Sequence, residues 1–417
     1  MDGTDLKFLE RVNPVFNTAK MCLYQLAMIG EKDALAISEK LGLEQDRTQN
    51  GTETASSEEQ LKVGLVMMET RYRTMGEMEK AAGCRTIVDL PCGYTPRGIQ
   101  LAGSGMDYVG LDLPATIIEA EPVIRSLIDE KNLKNVTYAG VDATNYGSLE
   151  KVLKDKKGPF CITTEGLLMY FTESETGVLC DNIRRILDKK GGCWIVADPE
   201  SALQYILTAR LFFGDEFLKM MASSSQRVKE KADVEIGKSS LIIHPGPETP
   251  ESMKKAMEFL ALHGLKAERL TVADYMPDLM GQSPETTENL KKAMESCAYW
   301  KITVLQDVPT KTEEYRSGDV SVSAMLKGDF LSLIFNGRID TLSAPDVLRA
   351  FESIQEGRKI RKIEIECDGL EYISSAGLRV LLIMHKSTDE GVTLTGVRDN
   401  VREILEQTGF DSLFNVI

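Results

Sequence analysis

The 417-residue sequence has few aromatic residues (6%), only three histidines and no long apolar run. Apolar stretches such as VLLIM at 380–384 are far shorter than the roughly 20 residues needed to cross a bilayer. The first residues lack the basic start and apolar core of a signal peptide. Basic residues are in deficit, 49 against 64 acidic residues, so the net charge is −15. We therefore expect a soluble, cytoplasmic protein without general affinity for nucleic acid or for an anionic membrane.

The eight cysteines contain no CxxC pair, and most lie inside apolar strings such as PFCITTEGLL and GGCWIVAD. Zinc sites and redox dithiols use closely spaced cysteine pairs, and small secreted domains use cysteines as a disulfide framework. The pattern here is typical of reduced, buried thiols instead. We expect neither a metal site nor a disulfide framework.

The chain is long enough for two or three domains. Residues 15–82 carry apolar residues at three- and four-residue spacing, which predicts helices. From residue 86, short apolar runs such as TIVDL, FCITTEG and CWIVADP alternate with helical segments. That alternation predicts an α/β fold with a mostly parallel sheet and helices on both faces.

A polar stretch, 306–318, predicts a linker between domains, and a new strand and helix pattern follows it to the end of the chain. We therefore expect a first domain over 1–305, with a helical cap over 1–85 and a Rossmann-like core over 86–305. A small α/β domain is expected over 319–417. About 100 residues suffice for an independent core.

The segment TIVDLPCGYTPRGIQLAGSGMDYVGLDLP, residues 86–114, predicts a strand, a tight turn containing Gly93, a helix and a second strand ending at Asp112. Glycine in such a turn lets a nucleoside ligand approach the end of the strand. An acidic residue about 20 positions later is placed to accept hydrogen bonds from ribose hydroxyls. The turn is not GxGxxG, which disfavours NAD and favours a ligand without pyrophosphate, such as S-adenosylmethionine. The alternative is a glycine turn in an α/β fold that binds no cofactor.

Four segments resemble class I S-adenosylmethionine-dependent methyltransferases: DLPCGYTPRG (89–98), YVGLDLP (108–114), VDAT (141–144) and TTEGLLMYF (163–171). The resemblance is specifically to the leucine carboxyl methyltransferase-like group, which includes O-methyltransferases associated with polyketide biosynthesis. It covers roughly residues 10–305. Pro91 and Cys92 lie in the turn at positions where relatives often carry small residues. We nevertheless expect the turn to be intact, because the acidic residues at the ribose and adenine positions are present.

The resemblance implies a set of cofactor-binding residues. Gly93 would line the methionine end of the cofactor with Arg97 as a carboxylate partner, and Asp112 would hold the ribose. Asp142 and Ala143 would frame the adenine, while Glu165 and Gly166 would close the site after the fourth strand. Arg71, in METRYR, would match an upstream cofactor-contacting arginine, with Arg73 competing for that register.

The methyl acceptor is less defined. Methyl transfer from a sulfonium depends mainly on in-line positioning and exclusion of water. A carboxylate acceptor needs no base, whereas a hydroxyl acceptor usually does. His244, in LIIHPG, is the one histidine that we consider as a base, and we assign no catalytic residue.

The segments GRIDTLSAPDVLRAF and CDGLEYISSAGLRVLLIMHKSTDEG resemble a STAS domain, the fold of anti-sigma factor antagonists, over roughly 319–417. Phosphorylated members usually carry an Asp-Ser-Ser-Gly string. Aligned on Gly377, Ser374 takes the aspartate position and Ser375 the phosphoacceptor position, while Asp340 lies on the neighbouring loop of the partner surface. The alternative is that both serines only cap a helix.

These observations predict an S-adenosylmethionine-dependent O-methyltransferase acting on a carboxyl or hydroxyl group of a small metabolite. A protein carboxylate is the less favoured acceptor. The STAS domain would regulate the enzyme or link it to a serine kinase or an anti-sigma factor-type partner. The alternative is a signalling protein whose first domain senses S-adenosylmethionine or a metabolite without turning it over.

Overall fold

A computed structural model of the chain describes residues 14–43, 55–229, 239–306, 310–355 and 360–417. Contacts between Cα atoms divide the chain into two compact units. The first comprises Met1–Phe171, Arg185–Ala256 and Ala267–Thr303, and the second comprises Thr172–Arg184, Met257–Lys266 and Val304–Ile417. Parts of the predicted cap (1–13 and 44–54) and of the predicted linker (307–309) lie outside the described residues.

The described part of the cap is helical, as the apolar spacing predicts. Its helices are α1 (Pro14–Met28), α2 (Lys32–Lys40) and α3 (Ala55–Ala81). Apolar side chains on one face of α3, including Met75 and Met78, are buried in the core of the first unit. Burial of this face, rather than helix propensity alone, stabilises such a helix.

A seven-stranded sheet follows, with the order β3-β2-β1-β4-β5-β7-β6. Strands β1 to β5 are parallel where they pair, and β7 runs antiparallel to β5. The prediction of a Rossmann-like, mostly parallel sheet is therefore confirmed. The strands are β1 (Thr86–Asp89), β2 (Asp107–Asp112), β3 (Val136–Gly140), β4 (Phe160–Thr164), β5 (Gly192–Val196), β6 (Leu265–Thr271) and β7 (Ala298–Val304).

Every residue of β1 and β4 is buried, as expected for central strands covered on both faces. Helices connect or flank the strands: α4 (Arg97–Leu101), α5 (Pro114–Arg125), α6 (Tyr146–Leu153), α7 (Glu173–Lys190), α8 (Ser201–Lys229), α9 (Thr249–Leu262), α10 (Val272–Tyr275) and α11 (Pro284–Met294). None of the helices within the described residues is long and apolar enough to span a membrane.

The strand order defines where a ligand can bind. From β1 the chain moves outward to β2 and β3, and then returns to the other side of β1 with β4 and β5. This reversal is a topological switch point, and ligands of open α/β sheets bind outside the carboxyl ends of the strands at such a point. The carboxyl ends of β1, β2 and β4 therefore frame the candidate site.

The second unit contains a six-stranded mixed sheet with the order β13-β12-β11-β10-β9-β8. Its strands are β8 (Thr310–Ser317), β9 (Val320–Lys327), β10 (Phe330–Ile339), β11 (Lys362–Ile373), β12 (Val392–Thr395) and β13 (Asn415–Val416). Its helices are α12 (Ala344–Gln355), α13 (Ser375–Lys386) and α14 (Asp399–Thr408). Alternate side chains of β9 and β10 enter the core, which explains why the period of two predicts these strands.

The predicted linker is corrected by the structure. Residues 310–317 form β8, an edge strand paired antiparallel with β9 through a turn at Gly318. Its side chains are exposed or half-buried, without one buried face. A polar edge strand of this kind lacks the apolar alternation from which strands are recognised.

Gly337 in β10 lies so close to the backbone of Asp319 that a side chain at this position should destabilise the fold. Gly337 has a φ of +87°, and a Cβ there would overlap the carbonyl oxygen of Asp319. Gly318 has a φ of +57° with no atom close to the position of its absent Cβ. Gly337→Ala should therefore cost about 3 kcal/mol, and Gly318→Ala about 1 kcal/mol.

Thermal unfolding of the full chain by circular dichroism checks this difference. Both tryptophans, Trp194 and Trp300, lie in the first unit, so their fluorescence reports that unit separately. Equal losses for the two alanine variants would contradict the overlap at Gly337.

Candidate functional site

A cavity lies at the carboxyl ends of β1, β2 and β4, at the switch point of the sheet. Helices α1 and α3 cover it, and the turn after β1 and the loop after β4 complete its wall. The residues that line it are Thr18, Ala19, Cys22, Met68, Arg71, Asp89, Pro91, Cys92, Gly93, Thr95, Asp112, Leu113, Thr116, Glu165, Gly166, Met169 and Tyr170.

Gly93 and Asp112 meet in this cavity, as their spacing predicts. The backbone N–H of Gly93 donates to Oδ2 of Asp112 at 2.7 Å, and the N–H of Leu113 donates to Oδ1 at 2.7 Å. Gly93 has a φ of +53°, and the position of its absent Cβ lies 3.6 Å from the Cβ of Ala19 on α1. Burial raises the pKa of Asp112, while these backbone hydrogen bonds oppose the rise. The carboxylate thus holds the turn and still faces the cavity.

The structure differs from the expectation for Arg97. Its guanidinium is buried and donates from Nη1 to Glu79 Oε2 at 3.0 Å and from Nη2 to Glu165 Oε1 at 2.8 Å. It also stacks over the ring of Tyr72, 4.4 Å from the centroid. Arg97 does not appear among the residues that line the cavity. Carboxylates of the protein already occupy it, so it is not placed as a partner for a ligand carboxylate.

Arg71 is the arginine that lines the cavity. Its Nε lies 3.2 Å from Oε2 of Glu165, and neighbouring anionic groups outweigh burial and raise its pKa. Arg73, which competes for the same register in the sequence, pairs instead with Glu69 and Glu31. Arg71, rather than Arg73 or Arg97, is therefore the arginine that is placed to face a ligand in the cavity.

Asp142 and Ala143 follow β3 and do not appear in the cavity lining. One oxygen of the exposed Asp142 carboxylate accepts from Thr144 N at 2.8 Å and from Thr144 Oγ1 at 2.7 Å, which shapes the turn after the strand. Ala143 is buried. Their predicted contact with an adenine stays a proposal.

Glu165 and Gly166 line the cavity from the loop after β4. Sequence reasoning missed the residue that shapes this loop, Asp198. Its carboxylate accepts from the backbone N–H groups of Gly166 at 2.6 Å, Leu167 at 2.8 Å and Leu168 at 2.8 Å. The available signal was the acidic residue directly after the apolar run CWIVA, at the carboxyl end of a strand.

Carboxylates exceed guanidinium groups beside the cavity. Glu79, Asp89 and Glu165 surround Arg97, and Arg71 contributes the second cation. Burial raises the pKa of Glu79 to about 7 and that of Asp89 to about 8, although Arg97 opposes both rises. The raised pKa values favour protonation of one of these two carboxyls near neutral pH.

Carboxylates rather than a histidine are the groups of the cavity that could act as a general base for a hydroxyl acceptor, and Asp89, with its pKa raised to about 8 by burial, is one of them. No histidine is found among the described residues that line it, and His244 is exposed elsewhere on the chain. Tyr170, Cys22 and Cys92 are uncharged titratable groups of its lining, which also includes the apolar side chains of Met169 and Met68. Within the described ranges, no group of His, Cys, Asp and Glu side chains could hold a metal ion.

In the second unit, the two serines have separate positions. Ser374 is the N-cap of α13, and its Oγ accepts from the N–H of Gly377 at 3.3 Å. Ser375 is the first residue of the helix, and its side chain is exposed. The cap therefore uses Ser374 and leaves the hydroxyl of Ser375 toward solvent.

The loop that carries Asp340 lies beside this helix start, because Ser374 N donates to the carbonyl of Ile339 at 2.8 Å. Oδ1 of Asp340 accepts from the N–H groups of Leu342 at 2.9 Å and Ser343 at 3.0 Å. These backbone hydrogen bonds lower the pKa of Asp340. Leu342 is 86% exposed on this hydrogen-bonded loop.

Comparison with known proteins identifies the second unit. Residues 322–417 match the family model of the STAS domain. This part of the chain is a STAS domain, as the sequence predicts. A candidate anti-sigma factor antagonist, BtrV of Bordetella bronchiseptica, is 36% identical over 72 residues, which are 16% of this chain. The chain spans 62% of the length of that relative.

Solved structures resemble each unit at low identity. An anti-sigma factor antagonist from Mycobacterium paratuberculosis has 17% identity and a TM-score of 0.20 over 26% of this chain and 85% of its own. Magnesium protoporphyrin IX methyltransferase from Synechocystis, with bound SAH, has 10% identity and a TM-score of 0.34 over 65% and 93%. An O-methyltransferase family protein from Burkholderia thailandensis has 10% identity and a TM-score of 0.30 over 73% and 71%. The function proposed below is supported by the contacts within this chain and not by these likenesses.

The role of Asp198 can be measured without any ligand. Asp198→Asn turns an amide N–H₂ toward backbone donors, so the loop after β4 should lose about 1.5–3 kcal/mol of stabilisation. Hydrogen exchange of Gly166, Leu167 and Leu168 should accelerate about tenfold or more.

Glu200→Gln is the matched control, because Glu200 is equally buried nearby but accepts from Arg269 and Trp300 instead. It should leave exchange in the loop after β4 unchanged. Unchanged exchange in Asp198→Asn would show that the loop does not depend on this carboxylate.

Proposed function

We propose that the first unit binds S-adenosylmethionine and transfers its methyl group to an oxygen of a small-molecule acceptor. The observation that carries this proposal is the meeting of Gly93 and Asp112 at the switch point. A carboxylate at the end of the second strand, hydrogen-bonded to a glycine turn after the first strand, is the arrangement that binds a ribose. Each oxygen of Asp112 receives one backbone N–H and can accept a further hydrogen bond from a ribose hydroxyl.

The charges of the cavity fit this cofactor. When bound, S-adenosylmethionine supplies an electrophilic methyl group on a positively charged sulfur. The surplus of carboxylates around Arg97 favours a cationic ligand, and Arg71, which lines the cavity while paired with Glu165, is placed to meet a ligand carboxylate. Asp142 and Ala143 remain proposed contacts of the adenine, and Glu165 and Gly166 remain proposed to close the site after the fourth strand.

The acceptor is proposed to be a carboxyl or hydroxyl group of a small metabolite, such as a polyketide-like compound. The lining of the cavity includes the apolar side chains of Met68 and Met169 as well as Tyr170. These side chains would exclude water and orient an acceptor, which is most of what a displacement at a sulfonium requires. A carboxylate acceptor needs no base, whereas a hydroxyl acceptor would depend on a carboxylate of the lining such as Asp89.

Cofactor affinity tests the ribose assignment. Loss of a charged acceptor in Asp112→Ala should cost about 1.5–3 kcal/mol, which weakens S-adenosylmethionine binding about tenfold or more in a calorimetric titration. Thermal unfolding of the same variant controls for collapse of the turn. An affinity of the variant equal to that of the parent would contradict the assignment of Asp112 to the ribose. A parent chain that binds no cofactor would refute the proposal.

A second candidate function is a sensor that binds S-adenosylmethionine without turnover. The lack of a histidine in the described lining is the observation that favours it if the acceptor is a hydroxyl compound. Incubation with a panel of carboxylic acids and measurement of S-adenosylhomocysteine distinguishes the two, because only the enzyme forms this product.

The STAS domain is proposed to be a phosphorylation-controlled module that binds a serine kinase or an anti-sigma factor-type protein. We assign the methyltransferase to residues 1–305 and the STAS module to 310–417, since β8 belongs to the second sheet. Ser375 is the proposed phosphoacceptor, and Asp340 and Ser374 belong to the proposed partner surface. The exposed hydroxyl of Ser375 at a helix start supports this role, because the helix dipole favours a phosphate there.

Substitution at Ser375 tests this module. Ser375→Asp should leave thermal stability nearly unchanged, since Ser374 keeps the cap, but it should weaken capture of a kinase or anti-sigma factor-type partner. Ser375→Ala should keep that partner. If both variants capture the partner equally, or if Ser375→Asp unfolds, Ser375 has only a structural role.

A further inference from the structure

We propose that Glu79, on the far side of Arg97 from the cavity, makes the cofactor site select a cationic ligand over its uncharged counterpart and release a proton when the cation binds. This inference rests on the proposed function, because the cation and its counterpart would be S-adenosylmethionine and S-adenosylhomocysteine. Glu79 does not line the cavity itself. It is therefore a specificity-determining residue that acts through another side chain.

The guanidinium of Arg97 contacts all three carboxylates on which the inference depends. Arg97 donates to Glu79 at 3.0 Å and to Glu165 at 2.8 Å, and its Nε lies 3.9 Å from Oδ2 of Asp89. Glu165 and Asp89 line the cavity, whereas Glu79 is on α3 behind it. Arg97 thus connects a buried carboxylate to two carboxylates that face the ligand.

The charges of this cluster do not balance within the protein. Its carboxylates are Glu79, Asp89 and Glu165, against the guanidinium groups of Arg97 and Arg71, and Asp112 adds a further carboxylate to the lining of the same cavity. Glu79 and Asp89 are 1% and 3% exposed, so water screens the surplus negative charge poorly. A buried cluster with one surplus negative charge either binds a proton or binds a cation.

Beyond Arg97, Glu79 lines a second cavity together with Arg73, Lys80, Glu31 and Glu77, two groups of each sign, so these neighbours add no net charge. The side chains that face Asp89 from the neighbouring strands are uncharged. The hydroxyl of Tyr108 on β2 donates to Asp89 at 3.0 Å, Thr163 on β4 lies against the same carboxyl at 3.4 Å, and Tyr72 on α3 is buried beside Arg97. Burial raises the pKa of Glu79 to about 7 and that of Asp89 to about 8. Both values support a proton held by the cluster in the absence of a cation.

A ligand that brings one positive charge replaces this proton, and a neutral ligand does not. Methyl transfer removes the positive charge from the sulfur, so the cluster regains a proton after the reaction and its attraction for the ligand falls. Glu79 supplies one of the negative charges around Arg97, and without it Asp89 and Glu165 balance Arg97 and Arg71. With Glu79 present, the surplus negative charge favours the cofactor over the spent product for electrostatic reasons alone.

The sign of the pH dependence follows from linkage. The cation binds to the deprotonated cluster, so its affinity should rise with pH until the carboxyls are ionised. Below the pKa of Glu79, about 7, the preference for S-adenosylmethionine over S-adenosylhomocysteine should grow up to about tenfold per pH unit. The affinity for S-adenosylhomocysteine should change much less.

Calorimetric titration of the full chain near pH 6.5, in two buffers with different ionisation enthalpies, counts the protons released by each ligand. S-adenosylmethionine should release more protons than S-adenosylhomocysteine, by up to about one. Equal proton release by both ligands would overturn the inference while leaving the proposed function intact. A chain that binds neither ligand would overturn both.

Glu79→Gln assigns the effect to this residue, since it keeps an acceptor for Arg97 and removes one negative charge. It should abolish the extra proton release and lower the preference for the cation about tenfold. Glu200→Gln, an equally buried carboxylate paired with Arg269, should behave as the parent does. A Glu79→Gln variant that folds and keeps the parent preference would contradict the assignment; if it does not fold, the parent's proton count decides.

Discussion

The first unit depends on one buried guanidinium. Arg97 comes from the short helix after the glycine turn and donates to Glu79 on α3, to the carbonyl of Tyr72 on the same helix and to Glu165 after β4. Three segments far apart in sequence therefore meet at a single side chain. Removing one partner of such a buried pair leaves an uncompensated charge, which costs several kcal/mol. The helical cap and the end of the sheet are held together by charge as well as by the apolar core.

Two other carboxylates shape the cavity by accepting backbone N–H groups. Asp112 fixes the turn at Gly93, and Asp198 fixes the loop that carries Glu165. A loop without regular structure has no strand or helix partner for its N–H groups, so a buried acceptor must supply one. The two loops of the cavity wall are consequently held by hydrogen bonds to buried carboxylates, and the orientation of a reacting methyl group requires a well-positioned wall.

In both sheets, the strands with a regular apolar pattern could be predicted from the sequence. The burial of β1 or β10 follows from the apolar residues of the strand itself. The proximity of Gly93 to Asp112 could also be predicted, because the 19 positions that separate them span the turn, the helix and the second strand of one strand-turn-helix-strand unit. The sequence did not allow the partners of Arg97 to be predicted, because Glu165 is 68 positions away and its distance depends on the folded sheet. The polar strand β8 escaped prediction since no face of it is apolar.

At the start of α13, the residue that caps the helix is separate from the residue that we propose to be phosphorylated. A helix leaves its first N–H groups without partners, and Ser374 satisfies that of Gly377. Because the cap is provided by the preceding residue, Ser375 is not needed for it and its hydroxyl is exposed. The neighbouring loop is stabilised independently by Asp340, which accepts its own two backbone N–H groups. A change of charge at Ser375 therefore alters the surface beside Leu342 without removing a hydrogen bond that the fold requires.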